Sequence, residues 1–160
     1  MLFRGLLWSF LLLSSLSVRA ALPLTPFERS ATYTLPNSTE VSAYLHQLTQ
    51  QSSQASVLSL GRSAGGRPID ALLLSHDAAF LKNGQPETHR PTVMLIGSQH
   101  GNEPSGSEAV QILARQLLDG DQQHLLDKMN FIAIVLANPD GRDLNRRLNA
   151  KDENPNIDFI

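Results

Sequence analysis

The sequence predicts an α/β fold, because two apolar runs with a helical pattern between them form a strand, helix, strand unit. The first run, Val93–Ile96, stops at Gly97, and the helical pattern begins at Pro104. The second run, Phe131–Ala137, has no polar alternation, which is typical of a strand buried on both faces. We expect both strands to be buried and parallel, joined by a right-handed crossover.

The helix between the two runs has an apolar stripe and defined ends. Pro104 suits the first helical position, and Gly120 is expected to stop the helix. Its apolar residues recur at helical spacing: Ala109, Val110, Leu113, Leu117 and Leu118.

The chain before this unit predicts a helix and a β-hairpin. Asn37 or Ser38 caps the helix, and the polar stretch 50–56 ends it. The apolar positions of this helix are Val41, Tyr44, Leu45 and Leu48. Val57–Leu60 and Ile69–Leu74 are predicted strands, and the glycine-rich turn between them predicts a hairpin. Residues 21–36 are predicted to form an extended lead-in, and residues 77–90 are predicted to form a loop with at most one helical turn.

Residues 1–20 are predicted to be a signal peptide, followed by the lead-in at 21–36 and one domain over 37–160. Arg4 marks a positive n-region, Leu6–Leu13 an apolar segment and Val18–Ala20 an A-x-A-like cleavage site. A membrane anchor is the alternative, but serines interrupt the apolar segment, which falls short of the roughly 20 residues of a span. The sequence therefore predicts a secreted or periplasmic protein without a stable membrane span after cleavage.

Composition narrows the possible chemistry. The 160 residues are 41% hydrophobic and 18% charged, an ordinary globular balance. Removing Arg4 and Arg19 with the leader leaves 11 of the 13 basic residues against 15 acidic ones, a formal charge of −4, which does not favour nucleic-acid binding. The chain has no cysteine, so any metal must be held by nitrogen and oxygen ligands.

His100 and Glu103 lie where the first apolar run meets the helix. An imidazole and a carboxylate at this spacing can converge at the carboxyl edge of a sheet, where α/β ligand sites form, and they suit a zinc ion. Taken alone, the pair is more typical of an ordinary loop histidine and an acid favoured by the helix dipole than of a metal site. The turn is rich in small residues that allow close approach of backbone and ligand, namely Gly97, Ser98, Gly101 and Gly106.

Four short motifs follow one another in a fixed order along the chain. They are a Gly61–Ile69 hairpin, the His100–Glu103 turn, an Asn138–Gly141 turn after the second apolar run, and Arg147–Asn149 with Asn156. The ordered set resembles the zinc metallocarboxypeptidases, the carboxypeptidase A-like family. The resemblance covers Glu40 to Phe159.

The resemblance implies a three-layer α/β/α domain with a mixed twisted sheet. It also implies one catalytic zinc, held by His, Glu and a second His, with water completing the shell. By similarity, His100 and Glu103 are the first two zinc ligands and Arg147 polarises the scissile carbonyl. Asn156 would help to hold the terminal carboxylate of a substrate. A simpler alternative is that Arg147 is an ordinary solvent-exposed arginine.

The sequence departs from the family pattern in two respects. Ile157 stands where the family's carboxylate-binding arginine normally follows Asn156. The family's second zinc histidine and general-base glutamate lie well beyond Arg147, so we expect the chain to be an amino-terminal portion, inactive as given. The four remaining histidines are predicted to be surface residues: His46, His76, His89 and His124. Of these, His124 comes nearest to a replacement for the missing zinc ligand.

The leading hypothesis is an exported zinc-dependent hydrolase of peptide or related amide bonds, acting on a peptide or peptide-like substrate. One alternative is an N-acyl amino acid deacylase, whose family shares a similar His-Gly-Asn-Glu turn; the Asn138–Gly141 turn favours the peptidase. Another is a secreted, non-catalytic binding protein on the same scaffold. The G-x-S-x-G match at Gly61–Gly65 falls in the predicted hairpin turn and not between a strand and a helix, so a serine hydrolase is not favoured. The oligomeric state stays open.

Overall fold

A computed structural model describes residues 21–86 and 89–157. The predicted signal peptide at 1–20 and the last residues of the resemblance, Asp158 and Phe159, lie outside the described part of the chain. Within that part, no helix combines the length and the apolar character needed to cross a bilayer.

A four-stranded mixed sheet forms the centre of the molecule. Its strands are β1 (Ala55–Arg62), β2 (Pro68–Leu74), β3 (Thr92–Ile96) and β4 (Asn130–Ile134), in the spatial order β1-β2-β4-β3. The pairs β1–β2 and β2–β4 are antiparallel, whereas β3 and β4 are parallel. The predicted hairpin and the predicted pair of parallel strands are therefore confirmed.

Two long helices cover one face of this sheet. The helices of the chain are α1 (Pro26–Arg29), α2 (Ser38–Gln51), α3 (Phe80–Asn83), α4 (Ser105–Asp119) and α5 (Pro139–Asp143), with a 3-10 helix at Gln123–Asp127. Asn37 caps α2 reciprocally with Glu40. The apolar stripes of α2 and α4 meet one sheet face in a single core, whose sheet residues include Leu72, Leu74, Phe131, Ala133 and Val135.

The opposite face of the sheet is covered only in part. The short helix α3 packs against β1 and β2, which completes a three-layer α/β/α arrangement and confirms the predicted fold class. On β3, however, Met94 and Ile96 are 58% and 45% exposed. The expectation that β3 is buried is therefore wrong for the described residues, because β3 is the edge strand and nothing covers its second face.

The lead-in contains a helical turn that the sequence analysis did not predict. Thr25 and Glu28 form a reciprocal capping box around α1, and Pro26 occupies its first position. The prediction of a wholly extended lead-in is therefore wrong at residues 26–29. The 3-10 helix before β4 and the helical form of the Asn138–Gly141 turn, which opens α5, were also not predicted.

Candidate active site

Two turns meet at the carboxyl ends of β3 and β4. The parallel pairing of these strands continues beyond them, because the N–H of Ala137 donates to Gly97 and the N–H of Asn138 donates to Ser98, each at 3.0 Å. The turn after β3, residues 97–104, is thereby fixed to the start of α5. The sheet thus brings the second and third motifs of the sequence to one edge, as expected for strand ends in an α/β fold.

Glycine and asparagine allow this close contact. Gly101 lies against the backbone of Gly141 and has no room for a Cβ atom. Asn138 caps α5 by accepting the N–H of Gly141 at 2.9 Å, and its side-chain amide donates to the carbonyl of Arg147 at 3.2 Å. The Asn138–Gly141 motif therefore connects the turn at residues 97–104, which carries His100 and Glu103, to the segment that carries Arg147.

His100 and Glu103 converge at the surface of this edge. His100 Nδ1 lies 3.1 Å from Glu103 Oε2, and the side chains are 7% and 60% exposed. On the other side of the ring, His100 Nε2 lies 3.0 Å from Asn154 Oδ1. The imidazole is thus enclosed and oriented, while the carboxylate faces solvent.

Asn154 determines which ring nitrogen of His100 is free. The same Asn154 oxygen accepts the backbone N–H of Asn156 at 3.1 Å, which identifies the atom as the amide oxygen. Because His100 Nε2 faces that oxygen, Nε2 carries the ring proton and the Nδ1 position faces Glu103. A carboxylate oxygen and a ring nitrogen so placed need a proton or a cation between them.

The separation of these two atoms fits a metal. Ligand atoms about 2.1 Å from a tetrahedral zinc lie about 3.4 Å apart, close to the 3.1 Å between His100 Nδ1 and Glu103 Oε2. The pKa of Glu103 lies below its usual value, first because of its contact with His100 and then because of the nearby Arg147 charge. The pair thus offers a carboxylate oxygen beside an imidazole nitrogen, two kinds of ligand atom that zinc accepts.

Arg147 lies next to this pair. Its Nη1 is 2.9 Å from Glu103 Oε1, and its side chain is 50% exposed. Asn156 is exposed and follows Asn154, the residue that holds His100. The structure thus brings Arg147 to the candidate ligand pair and places Asn156 two residues from the anchor of His100.

The neighbouring arginines are engaged elsewhere. Arg142 is buried and donates to the Ser98 hydroxyl at 2.8 Å. Arg146 pairs with Asp152 at 2.9 Å and donates to the carbonyl of Asn149. Ile157, by contrast, is 67% exposed.

Asp140 connects the hairpin turn to the site. This buried carboxylate accepts from Ser63 Oγ at 2.8 Å and from Gly65 N and Arg67 Nη1, both at 2.9 Å. Burial by itself raises the pKa of Asp140, but the hydrogen bonds from Gly65, Ser63 and Arg67 together hold the pKa below its usual value. The first and third motifs of the sequence are thus in direct contact.

None of the other histidines in the described part of the chain supplies a third ligand beside His100 and Glu103. Across 21–86 and 89–157, no group of three His, Asp or Glu side chains is placed to hold a metal ion. As predicted, His46, His76, His89 and His124 are exposed. His124 contacts the carbonyl of Asp121 and precedes β4, so it lies at the opposite end of the sheet from His100 and is not a stand-in ligand.

The sequence did not predict the contacts that Arg142 and Asn154 make in the site, and Ser98 was expected only to be a small residue of the turn. Asn154 precedes a proline, a pattern that indicates only a turn. Its contact with His100 spans 54 positions, and no local periodicity reveals a contact of that range.

The fold and its paired turns define an α/β protein with a candidate metal-binding pair, His100 and Glu103, at its strand ends. The sequence pattern of the zinc carboxypeptidases matches residues 41–158, and the chain belongs to that family. This confirms the resemblance found from the four motifs.

Individual relatives agree with this assignment. Carboxypeptidase 2 of Trichophyton tonsurans is 32% identical over 101 residues, which cover 62% of this chain and 18% of the relative. Among solved structures, the metallo-carboxypeptidase of Burkholderia cenocepacia has a TM-score of 0.61 at 31% identity, over 73% of this chain and 31% of that one. Carboxypeptidase A of Helicoverpa armigera has a TM-score of 0.62 at 26% identity, over 72% and 29%. The chain thus spans less than a third of each of these relatives.

Proposed function

We propose that this chain is the amino-terminal part of an exported, zinc-dependent, carboxypeptidase-like hydrolase of peptide or related amide bonds. The observation that carries the proposal is the 3.1 Å separation of His100 Nδ1 and Glu103 Oε2. The anchoring of His100 Nε2 by Asn154 supports it, because metal-ligating histidines usually donate their second ring N–H to such a partner. Family membership supports the same reaction class.

Each residue has a distinct part in this proposal. His100 and Glu103 hold the metal, which supplies a water of lowered pKa and polarises the scissile carbonyl. Arg147 presents further N–H groups beside Glu103, where they stabilise the negative charge that develops on the carbonyl oxygen. Asn156 donates to a carboxylate of the substrate. A catalytic zinc needs three protein ligands, so we expect the 160-residue chain to bind zinc weakly and to be inactive.

The metal assignment can be tested on the 160-residue chain. Zinc is titrated into the protein while the ring signals of its five histidines are followed by NMR. We expect the His100 signals to respond first and the response to disappear in Glu103→Ala. His124→Ala, which removes an exposed histidine at the opposite end of the sheet, is the matched control and should leave the response intact. Unchanged zinc affinity in His100→Ala would overturn the assignment.

The reaction class is tested with the product of the complete reading frame. Short peptides and N-acyl amino acids are offered in parallel, and hydrolysis of the peptides is the expected result. Preferential hydrolysis of the acyl amino acids would identify a deacylase instead. A folded protein that neither binds zinc nor hydrolyses either class would be a binding protein on this scaffold.

A further inference from the structure

We propose that Arg142 is a positioning residue for Glu103, acting through the hydroxyl of Ser98. This inference rests on the proposed function, because it assigns a role to Arg142 in holding the zinc-ligand turn. Neither Arg142 nor Ser98 faces the ligand pair directly, and both are buried.

The Ser98 hydroxyl connects the two residues. It accepts from Arg142 Nη2 at 2.8 Å and lies 3.1 Å from the backbone oxygen of Glu103. The guanidinium can only donate, so the hydroxyl keeps its own proton for the Glu103 carbonyl. A charged donor also polarises the hydroxyl and strengthens its second hydrogen bond. The geometry thus forms a directed chain from Arg142 to the backbone of Glu103.

The backbone of Ser98 requires support from its surroundings. Its φ of 46° lies in the left-handed region, which serine seldom adopts. Such a conformation persists where surrounding contacts hold it. Besides the contacts of its hydroxyl, Ser98 accepts the N–H of Asn138 at 3.0 Å through its carbonyl. The turn that ends in Glu103 therefore starts from a strained residue fixed at two atoms.

The environment of Arg142 argues against a purely stabilising role. Only 5% of the residue is exposed, its Nε has no hydrogen-bond partner among the described residues, and burial lowers its pKa. The acidic groups that act on it are Glu108, whose pKa burial raises, and Asp143, which also binds Ser38 and Arg67. A buried charge with incomplete pairing does not favour folding. The hydrogen bond from Arg142 to Ser98, in the turn that carries His100 and Glu103, accounts for a buried arginine at this position.

Apart from this chain of contacts, Glu103 is held in the described structure by its backbone N–H, which donates to the carbonyl of His100 at 3.2 Å, and by its side chain. Its side chain is 60% exposed and contacts only His100 and Arg147 by hydrogen bond or ion pair in the described structure. Loosening the Ser98 turn would therefore move the carboxylate relative to His100 Nδ1. Loss of such supporting contacts typically lowers metal affinity by about 10- to 100-fold.

Hydrogen exchange tests the positioning role without requiring metal. In the 160-residue chain, Arg142→Met should raise exchange at the amides of Glu103 and Asn138 by about tenfold or more relative to amides of β2, because local opening is selective. Ser98→Ala should give the same pattern, and the double variant should add little, since both changes break one chain of contacts. Arg142→Lys, which retains a donor and the charge, should restore part of the protection. Arg115→Met, which removes an arginine paired with Glu28, is the control and should leave these amides unchanged.

The outcomes separate this inference from the proposed function. Wild-type protection at the Glu103 and Asn138 amides in both Arg142→Met and Ser98→Ala would overturn the positioning role. If Arg142→Met does not fold, the exchange result for Ser98→Ala alone decides whether the positioning role stands. A uniform rise in exchange across the molecule would also overturn it, because that result indicates general destabilisation. Zinc titration is the second readout: 10- to 100-fold weaker binding in the variants is expected. Absence of zinc binding in the product of the complete reading frame would instead contradict the proposed function, whatever the exchange result.

Discussion

A methyl group added to Gly101 would lie 1.8 Å from the carbonyl carbon of Gly141. The turn that carries His100 and the helical turn that opens α5 are therefore in contact through their backbones. No side chain fits between them, and this contact fixes the distance between the second and third motifs of the sequence.

Gly101→Ala should destabilise the protein by about 3 kcal/mol or more, because the clash is with backbone that cannot rotate away. Gly106→Ala is the matched control in the first turn of α4, where the nearest atom to an added Cβ is 3.6 Å away. That change should stabilise by about 0.5–1 kcal/mol, the usual gain from replacing glycine in a helix. Urea unfolding measures both, and similar midpoints for the two variants would contradict the proposed contact.

The local sequence pattern was sufficient to predict the strands and the helix that carry the candidate site. The apolar runs and the helical stripe predicted β3, α4 and β4, and they placed His100 and Glu103 at a strand end, where the structure has them. Exposure of Met94 was not predictable, because an apolar run has the same pattern in an edge strand and in a central strand.

Long-range polar contacts explain most of what the sequence did not reveal. Arg142 reaches Ser98 across 44 positions, and Asp140 reaches Gly65 across 75. Such contacts depend on how the sheet orders its strands and on where each turn comes to lie. The four motifs were enough to indicate the family, but only the fold shows that Asp140 joins the first motif to the third.

Acid should destabilise the protein through Asp140. Its folded pKa is lowered, so its contribution to stability is present above the unfolded pKa of about 3.9 and is lost as pH falls through the folded pKa. Asp140→Asn should therefore lower the free energy of unfolding at neutral pH by about 1–3 kcal/mol and flatten its dependence on pH below about 4. Urea unfolding at several pH values measures this slope. Asp121→Asn, at an exposed position, should retain the wild-type slope; an equally steep slope in Asp140→Asn would contradict the assignment.

The uncovered face of β3 should make the 160-residue chain self-associate. An edge strand with exposed apolar side chains is prone to pair with another molecule, and Met94 and Ile96 are both exposed there. Met94→Lys should reduce association while changing stability by no more than about 0.5 kcal/mol. Leu95→Lys, on the same strand but packed against the core, should instead destabilise the fold. Sedimentation velocity over a concentration series gives the measurement, and a wild-type chain that stays monomeric throughout would count against the prediction.

The last prediction concerns Ile157 and the recognition of a free carboxyl terminus. An isoleucine cannot make the paired, charge-assisted contact that arginine makes with a carboxylate. Two nearby arginines are not free to replace it, because Arg142 is buried against Ser98 and Arg146 is held by Asp152 and Asn149. We therefore expect the product of the complete reading frame to show little preference for a free carboxylate and to accept blocked peptides or amides.

Comparing kcat/KM for a short peptide and for its carboxyl-terminal amide measures that preference. At the exposed position 157, Ile157→Arg should raise the preference for the free acid on the order of a hundredfold, the effect of about 2–3 kcal/mol from a charge-assisted pair. Ile157→Lys, which adds charge without the planar pair of donors, should raise it less. A preference of a hundredfold or more in the unchanged protein would show that another cation already binds the carboxylate.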